Sequence, residues 1–236
     1  MNLAAGLHAK GQRVLLIDLD DQANATMCVG INPFGLQYSV NSLFTDISVT
    51  PQDVVVRTDF GLDVLPATQE LERTAAGMTA QSIGALRPVV EALDEDYDDI
   101  IIDTQPGHSY LSLSGLVAAN WALIPLQAHY LALEGVARII EDVQKVQRGL
   151  NKKLCIFGIV PVMVQANTSI AQIVLTQARE NYPDLMLPIE IKLSVKFVNA
   201  SLEGVPLVLS DPKHPGAQEY MQLVDLVIQR LALAEV

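Results

Sequence analysis

The sequence predicts an α/β fold in which a mostly parallel sheet carries helices on both faces. Two apolar segments, residues 14–17 and 100–102, each lead into an aspartate, Asp18 and Asp103. A short, continuous apolar run is typical of a strand that is buried on both faces. A further apolar segment and helical patterns lie between these two segments, and the order strand, helix, strand implies parallel pairing.

Periodicity and turn residues predict the other elements. Residues 1–10 are rich in Ala and Leu and form a helix that Gly11 ends. A turn at residues 30–33 opens a variable stretch. The amphipathic helix at the carboxyl terminus is expected to pack on the sheet. Helices are predicted at residues 42–44, 51–55, within 71–93 and at 220–236, and a strand at residues 62–67.

The composition limits the classes of protein to which the chain can belong. With 50% hydrophobic residues, 236 residues suffice for a single domain, 1–236, with a sizeable core. A formal net charge of −12 disfavours a broadly basic nucleic-acid surface, although it leaves room for a local basic patch. The two cysteines, Cys28 and Cys155, are far apart, which disfavours a disulfide framework or a zinc site. We expect a cytoplasmic protein without a membrane span.

Acidic residues follow both apolar segments, at the sheet edge where open α/β folds bind their ligands. Strand alternation places Asp18 and Asp20 on one face, where two carboxylates can hold a metal or a water. A solvated turn is the alternative for such a segment by itself. Asp103 ends a second apolar segment and is followed by a Pro-Gly turn, residues 106–107, which is the Walker B pattern. The aspartate of that pattern holds Mg²⁺ through its water shell.

Together these segments resemble the ParA/Soj/MinD family of deviant-Walker P-loop ATPases. Residues 17–26 read IDLDDQANAT beside the family's IDLDPQGNAT, and residues 103–107 read DTQPG beside the family's DTPPG. The resemblance covers nearly the whole chain, and it implies a helix end and a strand at residues 116–126 and another strand at residues 154–163. Further matching segments lie at residues 62–67, 116–126, 130–135, 158–163 and 194–212.

The resemblance implies ATP and Mg²⁺ as cofactors and assigns roles to the three aspartates. Asp20 matches the family position that orients the attacking water and is the candidate catalytic residue. Asp103 would hold Mg²⁺ through water, and Asp18 would share the hydration shell of the metal.

Three other residues are candidates for binding the nucleotide. Asn24 lies in the matching switch I loop, and Met163 ends a strand that lies near the adenine in relatives. Gln105 departs from the family motif and is either a water-positioning residue of switch II or a neutral surface substitution. Asp21 and Ala23 replace the Pro and Gly of the family, which leaves this loop less preset and predicts slower or altered hydrolysis.

The phosphate loop G-x-x-x-x-G-K-[ST] does not occur in the 236 residues. The family carries this loop directly before the residues that match residues 2–4, so the resemblance implies that the chain starts just past it. In the family, the strand before the loop lies beside the Walker B strand. We therefore expect residues 100–102 to lack a neighbouring strand, and the chain alone to bind ATP poorly and to aggregate.

The leading hypothesis is an ATPase that forms a homodimer around ATP and partitions or positions a plasmid, a chromosome or other cargo. The resemblance implies a ParB-like activating partner and nonspecific DNA as a scaffold. One alternative is a non-catalytic interaction module, and another is a different enzyme of this fold, such as a biotin-pathway synthetase or a cluster-bearing reductase. A solvated face is expected instead of a strong DNA surface, because the last fifth has few basic residues: Lys192, Lys196, Lys213 and Arg230.

Overall fold

The computed structural model describes residues 1–105, 107, 109–129, 132–165 and 168–234. The contacts divide the chain into two compact units, Met1–Ala118 with Lys196–Pro212, and Ala119–Val195 with Lys213–Val236. That residues 1–236 form a single domain stays a prediction. The elements in chain order are α1 (Asn2–Ala9), β1 (Val14–Leu19), α2 (Asn24–Cys28), α3 (Ser42–Thr45), α4 (Pro51–Val54), β2 (Val56–Arg57), β3 (Asp63–Leu65), α5 (Glu70–Gly77), α6 (Arg87–Glu91), β4 (Asp99–Thr104), α7 (Tyr110–Ala118), β5 (Trp121–Gln127), α8 (Ala132–Gly149), β6 (Cys155–Val162), α9 (Ser169–Asn181), α10 (Val195–Leu202), α11 (Leu207–Ser210) and α12 (Pro215–Ala234).

The first unit is built around a four-stranded sheet with the order β2, β3, β1, β4. Strand β1 pairs in parallel with β3 on one side and with β4 on the other. All six of its residues are buried, as expected for an apolar run at the centre of a sheet. The α/β class and the mostly parallel sheet are thus confirmed. The antiparallel hairpin of β2 and β3 was not predicted from the sequence.

Strand β4 corrects one expectation. Residues 100–102 were expected to lack a neighbouring strand, but β4 pairs with β1 along its whole length, from Asp99 to Thr104. The expectation was wrong for one side of β4, because β1 pairs with it there. Among the described residues no strand pairs with the other side, so β4 is an edge strand of this sheet.

Helices of the first unit lie directly on its sheet. A Cβ added to Gly115 of α7 would meet the side chains of Thr104 at 3.1 Å and of Ile102 at 3.4 Å, so glycine permits this close approach. Helix α1 packs against β1 and α11. The Asn2 side chain of α1 accepts a hydrogen bond from the N–H of Val208 in α11 at 3.3 Å, which ties residues 196–212 to the start of the first unit.

The second unit contains the parallel pair β5 and β6, with helices α8, α9 and α12. Its core includes Ile124 and Ile159 from the strands and Val136 and Val174 from the helices. The carboxyl-terminal helix begins at Pro215, five residues before the predicted start, and residues 235–236 lie outside the described part. Within the described ranges, the helices are too short or too polar to cross a membrane.

Candidate functional site

Two aspartates lie side by side at the carboxyl ends of β1 and β4. Asp18 and Asp103 are register partners in the parallel ladder, so their side chains leave the same face of the sheet. Asp18 is 0% exposed, whereas Asp103 is exposed. The two apolar segments predicted that both acids lie at this edge; the structure adds their register pairing, with one carboxylate inside the protein and the other open to solvent.

The buried carboxylate of Asp18 accepts three hydrogen bonds. Its Oδ2 accepts from the N–H of Thr26 at 2.8 Å and from the Thr26 hydroxyl at 2.7 Å, and its Oδ1 accepts from the N–H of Asp20 at 3.1 Å. Burial raises the pKa of Asp18 and the nearby Asp103 raises it further, while the hydrogen bonds from Thr26 and Asp20 oppose the rise. These donors compensate for the loss of water around the carboxylate.

Asp20 begins the tight turn that follows β1. This half-buried residue accepts the N–H of Gln22 on its Oδ1 at 3.0 Å, and its carbonyl accepts the N–H of Ala23 at 2.9 Å. Ala23 has a φ of 52°, in the left-handed region. The carboxylate of Asp20 thus lies at the same edge as Asp18, on a turn that its own side chain helps to close.

Asn24 and Gln105 also belong to this edge of the first unit. Asn24 is the exposed first residue of α2, directly after the turn. Gln105 follows β4, and its side chain donates to the Ser109 hydroxyl at 3.1 Å while its carbonyl accepts from the Ser112 hydroxyl at 3.0 Å. Gln105 is therefore held against the start of α7. The neighbouring residues Pro106 and His108 lie outside the described part.

Met163 belongs to the second unit, where it directly follows β6. Its side chain is 54% exposed, its φ is 52°, and Gln127 of β5 donates to its Sδ at 3.5 Å. The structure thus places Asp18, Asp20, Asn24, Asp103 and Gln105 in one unit and Met163 in the other. The role of Met163 at the nucleotide stays a prediction.

Sequence reasoning gave Thr26 no role, yet this residue makes the shortest hydrogen bonds to Asp18. The only available signal was its place at the end of the motif that resembles the family's IDLDPQGNAT. A threonine in the middle of a short helix usually turns its hydroxyl back to its own helix, and nothing in the sequence predicts the contact with β1.

The carboxylates of Asp18 and Asp103 fit a hydrated magnesium ion better than a metal held by protein ligands alone. The described residues contain no group of three or more His, Cys, Asp or Glu side chains that could hold a metal. Mg²⁺ keeps several waters and takes only one or two carboxylates. The exposed Asp103 meets this requirement, whereas the oxygens of Asp18 already accept hydrogen bonds from protein donors.

Known proteins are similar to this chain in sequence and in structure. A family model described as AAA domain matches residues 1–156. The chromosome-partitioning ATPase Soj of Thermus thermophilus is 35% identical over 232 residues, which cover 98% of this chain and 89% of Soj. The chromosome partitioning protein ParA of Caulobacter vibrioides is 32% identical over 236 residues, which cover 98% of this chain and 88% of ParA.

A crystal structure from Mycobacterium smegmatis, described as cobyrinic acid a,c-diamide synthase with bound ATP analogue and magnesium, is also similar. It superposes with a TM-score of 0.84 at 31% identity, and the match covers 98% of this chain and 88% of that one. The sequence motifs, the parallel sheet and these matches agree with one another. The chain therefore belongs to the ParA/Soj family of P-loop ATPases.

Proposed function

We propose that this protein is an ATPase that partitions or positions a chromosome, a plasmid or other cellular cargo, with ATP and Mg²⁺ as its cofactors. The observation that carries the proposal is the pairing of Asp18 with Asp103 at the carboxyl edge, with Asp20 held beside them. Soj and ParA, which are more than 30% identical to this chain over most of their length, are named for chromosome partitioning. The similar M. smegmatis structure contains an ATP analogue and magnesium.

Each acidic side chain has a distinct task in this proposal. Asp103 is exposed at the sheet edge and holds the hydrated magnesium, which supplies charge neutralisation for phosphoryl transfer. Asp20 orients the attacking water, because its turn projects the carboxylate from the same edge. Asp18 is buried and accepts the N–H of Asp20, which keeps this part of the backbone in place. Its place in the hydration shell of the metal stays a prediction.

The phosphates of the nucleotide need a cradle of main-chain N–H groups, and the 236 residues contain no G-x-x-x-x-G-K-[ST] segment that would form it. We propose that nucleotide binding requires such a loop ahead of α1. ATP then joins two copies of the chain as a homodimer, and a ParB-like partner stimulates hydrolysis. Nonspecific DNA is the proposed scaffold.

The test compares the 236-residue chain with the same chain preceded by a strand and a KGGVGKTT-type loop. We expect the longer form to bind and hydrolyse ATP with Mg²⁺, and the chain alone to bind ATP poorly. In the longer form, Asp20→Ala should retain ATP affinity and lose turnover, because the residue orients water and does not hold the nucleotide. Turnover is followed by phosphate release and affinity by titration calorimetry.

Asp103→Ala is the matched comparison in the same longer form. This variant should bind ATP more weakly in the presence of Mg²⁺ and with nearly unchanged affinity without Mg²⁺. The reason is that the substitution removes the carboxylate that holds the metal. Unchanged hydrolysis in the Asp20→Ala variant would overturn the assignment of Asp20. ATP affinity that does not depend on Mg²⁺ in the unsubstituted protein would overturn the role of Asp103.

A further inference from the structure

A single buried hydroxyl group joins three segments of the first unit. The Thr26 hydroxyl donates to Asp18 Oδ2 at 2.7 Å and accepts from the N–H of Ala67 at 2.9 Å. Thr26 lies in α2, Asp18 near the end of β1, and Ala67 two residues past β3. All three residues are buried, at 0% exposure. The hydroxyl therefore connects the helix after the turn to two neighbouring strands.

Asp18 completes this connection, because it holds both ends of the loop. Its Oδ1 accepts from the N–H of Asp20, and its Oδ2 accepts from the N–H and the hydroxyl of Thr26. One carboxylate thus accepts hydrogen bonds from both ends of the segment 20–26. Asp20 and Asn24 belong to this segment. A loop fixed at both ends has fewer backbone conformations than one fixed at its start alone.

The helix itself does not account for this use of Thr26. Helix α2 has only five residues, and its N-cap, Ala23, makes no side-chain cap. Thr26 is its third residue, where a threonine hydroxyl would ordinarily bond a carbonyl of the preceding turn. Here it bonds to a carboxylate eight residues back and to an amide 41 residues ahead. These bonds serve the packing of the loop on the sheet.

We propose that Thr26 is a positioning residue for the turn that carries Asp20, and that it acts through the Asp18 carboxylate and the Ala67 amide. This inference rests on the proposed ATPase function for its catalytic consequence. Its structural part, that the Thr26 hydroxyl orders residues 20–26, stands independently. Loss of the hydroxyl leaves the buried N–H of Ala67 without its acceptor and removes one of the two donors from Asp18 Oδ2, so the loop loosens while the nucleotide-contacting groups remain.

The experiment uses Thr26→Val, which keeps the shape and removes the hydroxyl, and Thr26→Ser, which keeps the hydroxyl. The control is Thr58→Val. Thr58 is also buried, and its hydroxyl donates to the carbonyl of Leu62 at 3.1 Å and accepts the N–H of Leu62 at 2.9 Å in the β2–β3 turn. The control therefore loses a buried threonine hydroxyl with the same number of bonds, at a site away from the loop.

Amide hydrogen exchange on the 236-residue chain tests the structural part. Thr26→Val should speed exchange at residues 20, 22, 23 and 67 by about tenfold or more, the change expected when a buried hydrogen bond to a charged group is lost. Thr58→Val should leave those amides unchanged and speed exchange at Leu62. Equal changes at residues 20–26 in the two valine variants would overturn the inference.

Steady-state kinetics on the chain with its phosphate loop tests the catalytic part. Thr26→Val should lower kcat about tenfold with KM for ATP within about twofold, Thr26→Ser should restore kcat, and Thr58→Val should leave both constants unchanged. A rise in KM alone, or a serine variant as slow as the valine variant, would overturn the positioning role. If the unsubstituted protein does not hydrolyse ATP, the proposed function fails, and hydrogen exchange still decides whether Thr26 orders the loop.

Discussion

Ala23 occupies a backbone conformation that L-residues seldom adopt. It has a φ of 52° and is only 2% exposed, at the position where the family motif has glycine. A left-handed conformation costs an L-residue roughly 1 to 2 kcal/mol. Ala23 therefore adopts the left-handed conformation that glycine favours. Its methyl group packs in the core of the first unit.

Ala23→Gly should leave the free energy of unfolding within about 1 kcal/mol of the original. Relief of the strain offsets the greater freedom of glycine in the unfolded chain and the loss of a buried methyl group. Urea denaturation measures the difference. Ala25→Gly is the matched control, because Ala25 is buried in α2. It should destabilise by about 1 to 2 kcal/mol, since no strain is relieved. Equal losses in the two variants would show that Ala23 is unstrained.

At the scale of elements, a tyrosine closes an ion pair at the amino edge of the first sheet. Arg57 donates to both oxygens of Asp63, at 2.7 and 2.8 Å, and the hydroxyl of Tyr97 donates to Asp63 Oδ2 at 3.2 Å. Burial and, after it, the charge of Asp63 raise the pKa of Tyr97 to about 12. The folded protein thus holds the phenol proton more tightly than the unfolded chain does.

The contribution of Tyr97 to stability should depend on alkaline pH. Because the folded pKa lies above the ordinary value of 10.0, the contribution is complete below pH 10 and is lost as pH rises through about 12. The difference in unfolding free energy between the original chain and Tyr97→Phe should shrink over that interval. The difference in phenolate absorbance between the two proteins should titrate near 12. A midpoint at 10 would contradict the effect of Asp63 and burial.

Two glycines bring the segment after α2 against the segment between α10 and α11. A Cβ on Gly204 would lie 2.7 Å from the Cα and 3.0 Å from the N of Gly30, and the φ of Gly204 is +68°. The obstructing atoms belong to the backbone, which cannot move aside as a side chain can. This contact joins the chain region next to the functional loop with residues 196–212.

Gly204→Ala should lower the free energy of unfolding by about 2 to 4 kcal/mol, the sum of a left-handed alanine and an overpacked contact. Thermal and urea denaturation measure the loss. Gly84→Ala is the control in the same unit, because Gly84 is exposed and a Cβ there meets nothing within 4 Å. The control should change stability by less than about 1 kcal/mol. Equal stabilities for the two variants would show that the close approach can relax.

For the whole molecule, charge limits what the protein can bind. The formal net charge is −12, and the basic residues of the last fifth are few. The ammonium of Lys192 lies 3.5 Å from Glu219, and Arg230 donates to the carbonyl of Phe157 at 2.8 Å while covering its ring. Part of the positive charge is therefore already engaged within the second unit.

Binding to nonspecific DNA should accordingly require ATP and be lost near physiological salt. The four basic residues of the last fifth limit the slope of log K against log salt to about −4 per chain, because each phosphate contact contributes about −0.9. Retention on DNA across a salt series measures the slope, and Lys213→Ala should flatten it by about one unit. Tight binding at high salt without nucleotide would contradict both the charge argument and the proposed switch.

Local patterns in the sequence were sufficient for several elements and for the position of the acids after apolar strands. An apolar run and a helical period are local patterns, so β1, β4, α1 and the short helices α3 and α4 lie where they were predicted. Parallel pairing and the position of the acids after apolar strands follow from the same patterns, whereas the direct pairing of β1 with β4 does not. Element ends were less predictable, as the earlier start of α12 at Pro215 shows.

The tertiary structure alone decided how the acids are used. It buried Asp18 while leaving Asp103 exposed, brought the Thr26 hydroxyl between Asp18 and Ala67, and placed Gly204 against Gly30. Each of these outcomes depends on which distant segments pack together, and burial and hydrogen bonding across such segments leave no periodic trace in the chain. Local physics therefore determined that carboxylates reach this edge, and packing determined which of them meets solvent and which holds the loop.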